Sequence, residues 1–211
     1  MPFFKCSSGL VYFFHVPKCG GSTIEEALLD KGFKLSFYDT AFWANKDKSY
    51  YKSSPQHITN EDFNQLFLED IFFYKFTMVR DPVSRLLSAF AYNRNKIGRF
   101  LSFNKFLSSL EKNVASRGDY FGRIYDNHFV PSSRLVPEDC NIFYFEDNMR
   151  QIEIALRNIL KEEIDLSHNK NLGKYEKVGI PKSPRVNEIS QEAISRIKIL
   201  YNEDYERFNF K

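Results

Sequence analysis

Leu10 to Val16 (LVYFFHV) is a run of apolar, β-branched and aromatic residues, the pattern of a strand buried on both faces. Gly20, Gly21, Ser22 and Thr23 then lead into Ile24 to Leu29, so this stretch predicts strand, tight loop and helix. The logic repeats at Ile71 to Val79 (IFFYKFTMV). Asp81 stands there as an N-cap with Pro82 at the first helical position, and Val83, Leu86, Leu87, Phe90 and Ala91 fall on one helical face. A third unit runs from Ile142 to Phe145, through Asp147 or Asn148 as cap, to Ile152, Ala155, Leu156, Ile159 and Leu160 at helical spacing. Three strand-to-helix units predict an α/β fold with a central parallel sheet flanked by helices. Phe103 to Asn113 and Gly118 to Phe129 are expected to be helical, as is a last helix from about Ser190 to Phe208 with Ile194, Ile197, Leu200, Tyr201 and Tyr205 facing in. Asp39 to Asn60 is polar, aromatic-rich and irregular, material for a loop that meets an acceptor.

A chain of 211 residues with 43% hydrophobic composition can bury one sizeable core, which predicts a single domain over residues 1–211. The 22 Phe and 12 Tyr fill such a core without disulfides. Cys6, Cys19 and Cys140 are odd in number and include no CxxC pair, so neither a disulfide framework nor a cysteine zinc site is indicated. A reducing, cytoplasmic setting is expected. The apolar run at Leu10 is too short for a membrane span and follows no leader with a cleavage signal. A net charge of +3, spread along the chain, lacks the clustered basic footprint of a nucleic-acid binder.

Chemistry enters at two loops. His15 to Thr23 (HVPKCGGST) follows a strand and opens a helix, the setting in which backbone N–H groups cradle a phosphate. Gly20 and Gly21 permit close approach, Ser22 and Thr23 add hydroxyl donors and Lys18 supplies a cation. Because Lys18 precedes the glycines, the loop is not a Walker A motif. Taken alone it is equally a helix cap beside a solvated lysine. Val79 to Phe90 (VRDPVSRLLSAF) places Arg80 at a strand end, with Ser84, Arg85 and Ser88 on the helix face opposite the apolar stripe. Taken singly, Asp81 caps that helix and Arg85 pairs with a surface acid. Open parallel sheets bind ligands at the carboxyl ends of their strands, where Lys18 and Arg80 both lie.

These segments resemble the 5′-phosphosulfate loop and the 3′-phosphate motif of the sulfotransferases that use 3′-phosphoadenosine 5′-phosphosulfate (PAPS), closest to the carbohydrate enzymes of Golgi and bacterial type. Supporting similarities are Ser54-Pro55-Gln56-His57, Asn127-His128-Phe129-Val130-Pro131, the Phe143 to Asp147 strand end and Tyr201 to Phe210 (YNEDYERFNF), so that the resemblance covers nearly the whole chain. Phe208-Asn209-Phe210 departs from the family's aromatic-glycine-tyrosine ending. The resemblance implies a P-loop-like three-layer fold. It also implies Lys18, Cys19, Gly20, Gly21, Ser22 and Thr23 around the 5′-phosphosulfate, and Arg80 and Ser88 on the 3′-phosphate.

In-line transfer of a sulfuryl group to a hydroxyl, on a carbohydrate or a glycolipid headgroup, is the expected reaction, with 3′-phosphoadenosine 5′-phosphate as product and no metal in the chemical step. Lys18 is expected to stabilise the leaving group. An acceptor hydroxyl needs a base near neutral pKa, and His57, in the irregular segment, is favoured. His15, His128, Glu146 and Asp147 remain alternatives, while His168 lies in a polar stretch and is read as solvated. Arg94, Lys96 and Arg99, and Lys170, Lys174, Lys177, Lys182 and Arg185, are either anion contacts or a solvated face. The rival classes are a nucleotide kinase with a divergent phosphate loop and a non-catalytic nucleotide-binding relative.

Overall fold

The computed structural model describes residues 2–44, 53–98, 100–147, 149–166 and 185–211, apart from the side chain of Glu69. Four strands form one sheet in the order β1 (Phe3–Cys6), β2 (Gly9–Phe14), β3 (Phe72–Val79) and β4 (Asn141–Tyr144). The strands β2, β3 and β4 run parallel, as the three units predict, while β1 is antiparallel to β2. The central sheet is therefore mixed rather than parallel throughout. Its edge strand folds back through Ser7 and Ser8, so that Cys6 pairs with Gly9. A hairpin needs no crossover helix, and four residues are too few for a readable period.

Among the described residues the helices are, in chain order, α1 (Gly21–Asp30), α2 (Asn60–Leu66), α3 (Pro82–Tyr92), α4 (Arg94–Ile97), α5 (Phe103–Arg117), α6 (Arg150–Leu160), α7 (Gln191–Leu200) and α8 (Asn202–Phe208). Alternation along β2 divides the core between the two faces of the sheet. Val11 and Phe13 join Ile24 and Leu28 of α1 and Ile152, Leu156 and Leu160 of α6. Tyr12 and Phe14 join a larger cluster with Leu86 and Leu87 of α3, Leu107 and Leu110 of α5 and Ile197 of α7. The result is an α/β structure with helices on both faces of the sheet. None of the helices among the described residues is long and apolar enough to cross a membrane.

Local chemistry explains most of the boundaries. Asp81 caps α3 by accepting from Ser84 N at 2.8 Å, with Pro82 just inside, as expected. Ser102 and Ser190 cap α5 and α7 in the same way. Four expectations are corrected. Gly118 to Phe129 forms successive turns rather than a helix, because Phe121, Asp126 and Asn127 take positive φ values of 56°, 56° and 58° that a right-handed helix cannot continue. The closing helix breaks at Tyr201 (φ −113°, ψ 27°), leaving α7 and α8. The residue preceding α6 is Met149, in a left-handed conformation, and Asp147 lies in a short turn before it; Asn148 is outside the described residues. Arg85 does not lie on a solvated face, since it is 1% exposed.

That burial organises the carboxyl-terminal part of the chain. The Arg85 guanidinium donates to His128 O (3.3 Å) and Val130 O (2.7 Å), and its Nη2 lies 3.9 Å from the fully buried Asp204 carboxylate. Asp204 in turn accepts from Ser132 N and Ser133 N at 2.9 and 2.8 Å, while the Tyr201 hydroxyl donates to Phe129 O at 2.7 Å. Residues 128–133 are thus clamped between α3 and the last two helices. Among polar interactions the charge-assisted ones are the stronger, so this clamp is a rigid mount for whatever residues 126–128 do.

Candidate active site

The carboxyl ends of β2 and β3 bring the two loops together. The residue Lys18 has a φ of 69°, a conformation costly for a residue other than glycine, and its Nζ lies 4.1 Å from the Tyr92 ring centroid. Arg80, immediately after β3, donates to Lys18 O at 3.4 Å and lies 4.6 Å from the Phe145 ring centroid. Burial, and then the nearby Arg80 charge, lower the Lys18 ammonium to a pKa of about 8. Two cations held this close in a half-buried site are what a polyanion would relieve.

Beside them, α1 begins with an uncapped turn. Gly20 precedes it in a left-handed conformation (φ 85°), offers no side-chain cap, and the first turn carries no acidic residue. This arrangement fits an anion at the helix N-terminus. A Cβ on Gly20 would fall 2.5 Å from the Met149 methyl, and one on Gly21 would fall 2.3 Å from the His15 ring. The second contact is with a buried ring held by Glu25, at 2.5 Å from His15 Nδ1. Gly21→Ala is therefore expected to destabilise the fold by about 1–3 kcal/mol through overpacking, read as a lower urea midpoint at unchanged slope. A midpoint equal to that of the unaltered chain would show that the loop yields freely. The thiol of Cys19 is turned into the core, bonded to Pro17 O, and burial pushes it up to about 12, so only its backbone faces the loop. Ser22 is half-buried at the start of α1, Thr23 is buried one residue later, and Ser88 is half-buried at the end of the second turn of α3.

The structure groups three of the four histidines. His15 contacts His57 edge-on at 4.8 Å between ring centroids, and His57 contacts His128 at 5.3 Å. The short turn Pro55–His57 is pinned by Asp126, a residue the sequence reading passed over. Asp126 Oδ1 accepts from Ser54 N (2.6 Å). Its Oδ2 accepts from Ser54 Oγ (2.9 Å), from His57 Nδ1 (2.8 Å) and from Trp43 Nε1 (3.3 Å). Burial alone would raise the Asp126 carboxyl, but the charge and hydrogen bond of His57, with His128 and Ser54 N, hold it well below the usual carboxylate range. A carboxylate accepts only, so His57 carries a proton on Nδ1, and its neutral form has the lone pair on Nε2.

His15 and His128 are both buried, and burial lowers both below the ordinary imidazole value, His128 the further. Among the described residues, His57, Asp126 and His128 place ligand-type atoms within 4.8 Å of one another. Their chemistry is nonetheless that of a hydrogen-bonded chain. His57 Nδ1 is spent on Asp126, His128 Nδ1 on Asn93, and Asp126 has four donors. Glu146 and Asp147 stand apart and exposed, Glu146 accepting from Asp81 N at 3.0 Å. His168 and Arg99 lie outside the described residues, as do Lys170, Lys174, Lys177 and Lys182. Arg94 is bonded to Leu101 O, Lys96 covers the Trp43 ring at 4.2 Å, and Arg185 pairs with Glu188 at 3.7 Å.

Tyr92, Asn93, Glu25, Trp43 and Asp126 join this site from four separate stretches of chain; each lies inside or beside a segment already singled out, Trp43 within Asp39 to Asn60, Glu25 after His15 to Thr23, Tyr92 and Asn93 after Val79 to Phe90, and Asp126 before Asn127 to Pro131. The model of the sulfotransferase family matches residues 2–211. No curated protein and no solved structure matches the chain.

Proposed function

The chain belongs to the sulfotransferase family, and from that premise we propose that it is a PAPS-dependent O-sulfotransferase, one domain over residues 1–211 with a P-loop-like arrangement of sheet and phosphate loop. One observation carries this reading: Lys18 and Arg80 stand together beyond the carboxyl ends of β2 and β3, and the rings of Tyr92 and His128 join Lys18 to the His57–Asp126 pair. The free thiols of Cys6, Cys19 and Cys140, all buried, agree with a reducing compartment such as the cytoplasm. Trp43 and Lys96 set an aromatic ring and a cation next to Asp126, side chains suited to an anionic saccharide acceptor.

When bound, PAPS supplies a sulfuryl group on a good leaving phosphate. Gly20, Gly21, Ser22 and Thr23, with the backbone of Cys19, hold its 5′ end at the start of α1, and Arg80 with Ser88 holds its 3′-phosphate. His57 Nε2 takes the proton of the acceptor hydroxyl as that oxygen bonds to sulfur. Lys18 stabilises the charge that appears on the bridging phosphate oxygen as the old sulfur–oxygen bond breaks. No step calls on a metal, because the cations are side chains.

Calorimetric titration with 3′-phosphoadenosine 5′-phosphate, alongside ATP, tests the reading. The bisphosphate is expected to bind tightly and ATP weakly, and Arg80→Ala to weaken the bisphosphate by about tenfold to a hundredfold, the worth of a hydrogen bond to a charged group. Affinity should fall as the pH rises above about 8, where Lys18 loses its proton in the free protein. A preference for ATP with magnesium would sink the proposal in favour of a kinase. Binding without transfer to any hydroxyl acceptor in a broad panel would point to a non-catalytic relative.

A further inference from the structure

Two imidazoles of the site, His57 and His128, are locked in opposite tautomers. His57 donates its Nδ1–H to Asp126 Oδ2, which in the neutral ring leaves the lone pair on Nε2. The other ring, His128, faces Asn93, a buried residue at the carboxyl end of α3. Asn93 Nδ2 lies 2.8 Å from Ala89 O and 2.8 Å from His128 Nδ1. A backbone carbonyl only accepts, so the NH2 end of the amide must face Ala89 O. That group has two hydrogens, and the second points to His128 Nδ1, which must therefore supply a lone pair. The His128 proton then sits on Nε2.

We propose that Asn93 is a positioning residue that fixes His128 as the neutral Nε2–H form, a standing hydrogen-bond donor for a non-bridging oxygen of the transferred sulfuryl group. The identity of that ligand rests on the sulfuryl-transfer reading; the tautomer does not. His128 is placed for the task. Its ring lies between those of Tyr92 (5.0 Å) and His57 (5.3 Å), and Lys18 sits over the same Tyr92. The charged and titratable groups that face it are His57, Asp126, Lys18, His15 and the Tyr92 phenol. Burial, the largest effect, and the Lys18 ammonium oppose a second proton on His128, while the Asp126 carboxylate, which already accepts four hydrogen bonds, favours one. One imidazole thus accepts a proton while its neighbour donates a hydrogen bond, so the pair can address the attacking hydroxyl and the group under attack at once.

Long-range proton–nitrogen spectra of the protein labelled with 15N-histidine test this without donor or acceptor, with His128→Gln used to assign the signal. His128 is expected as the neutral Nε2–H tautomer, without titration, across about pH 6 to 8. Asn93→Asp replaces the donor by an acceptor, and should move the proton to Nδ1 and raise the His128 pKa by about one unit or more. An Nδ1–H or imidazolium form in the unaltered protein overturns the proposal, whether or not the Asn93→Asp chain folds. The donor role is read separately from PAPS turnover. His128→Gln, which keeps an N–H near the Nε2 position, should retain far more activity than His128→Asn, a difference of about a hundredfold. Equal rates in the two variants would dismiss that role. Failure of the bisphosphate to bind would remove the sulfuryl-transfer reading alone and leave the tautomer standing.

Discussion

Asp126→Asn is expected to lower the rate of transfer by about a thousandfold to ten-thousandfold, the scale seen when an orienting carboxylate of a histidine base is made an amide. The orientation of the new amide is not free. Ser54 N is an obligate donor at 2.6 Å from Oδ1, so the carbonyl end must stay there and the NH2 must take the Oδ2 position facing His57. His57 Nδ1 would then have to accept, its proton would shift to Nε2, and the lone pair that takes the acceptor proton would be gone. The Trp43 N–H would lose its acceptor as well. The measurement is donor turnover, beside calorimetry with 3′-phosphoadenosine 5′-phosphate. Affinity should stay close to that of the unaltered protein, since Asp126 is outside the phosphate loop. Near-normal turnover would remove His57 from the role of base.

Arg85→Met should cost about 3–5 kcal/mol of folding stability, the range for stripping one partner from a buried ion pair. The guanidinium carries no solvent-exposed share to soften the loss, being 1% exposed. Its removal takes the donor from His128 O and Val130 O and the counter-charge from the buried Asp204 carboxylate, which keeps only Ser132 N and Ser133 N. Lysine is no substitute, because one ammonium cannot reach two carbonyls and a carboxylate in a fixed fork. Urea unfolding of the variant reads the difference directly. A loss below about 1 kcal/mol would mean that the clamp on residues 128–133 does not depend on Arg85.

Elements with their own periodicity were legible in the sequence. Parallel strands buried on both faces produce long apolar runs, and Asp81 with Pro82 marks a helix start chemically, so β2, β3 and α3 were found with close to their true limits. The strand β1 was missed because four residues carry no period, and the turns at 118–129 were misread because left-handed conformations at Asp126 and Asn127 leave no mark in a hydrophobic pattern. Lys18, Arg80, His57 and His128 could be named as chemical types near recognisable motifs. Asp126 and Asn93 could not, since each acts through a partner 69 and 35 positions away, and no local pattern encodes which loops a sheet will bring together. Arg85 was read as a surface residue for the same reason. Its counter-charge, Asp204, comes from the far end of the chain.

The clamp of Tyr201 and Asp204 on residues 129–133 has a consequence for synthesis. A ribosome releases the loop at 15–23 well before α8, while the hydrogen bonds of the clamp join positions 71 and 72 apart. Contacts so distant in the chain form late and slow the folding of the whole. Until residues 201–208 emerge, the nascent polypeptide carries the loop at 15–23 but lacks the partners that fix residues 129–133, and with them the mount of Asp126 and His128.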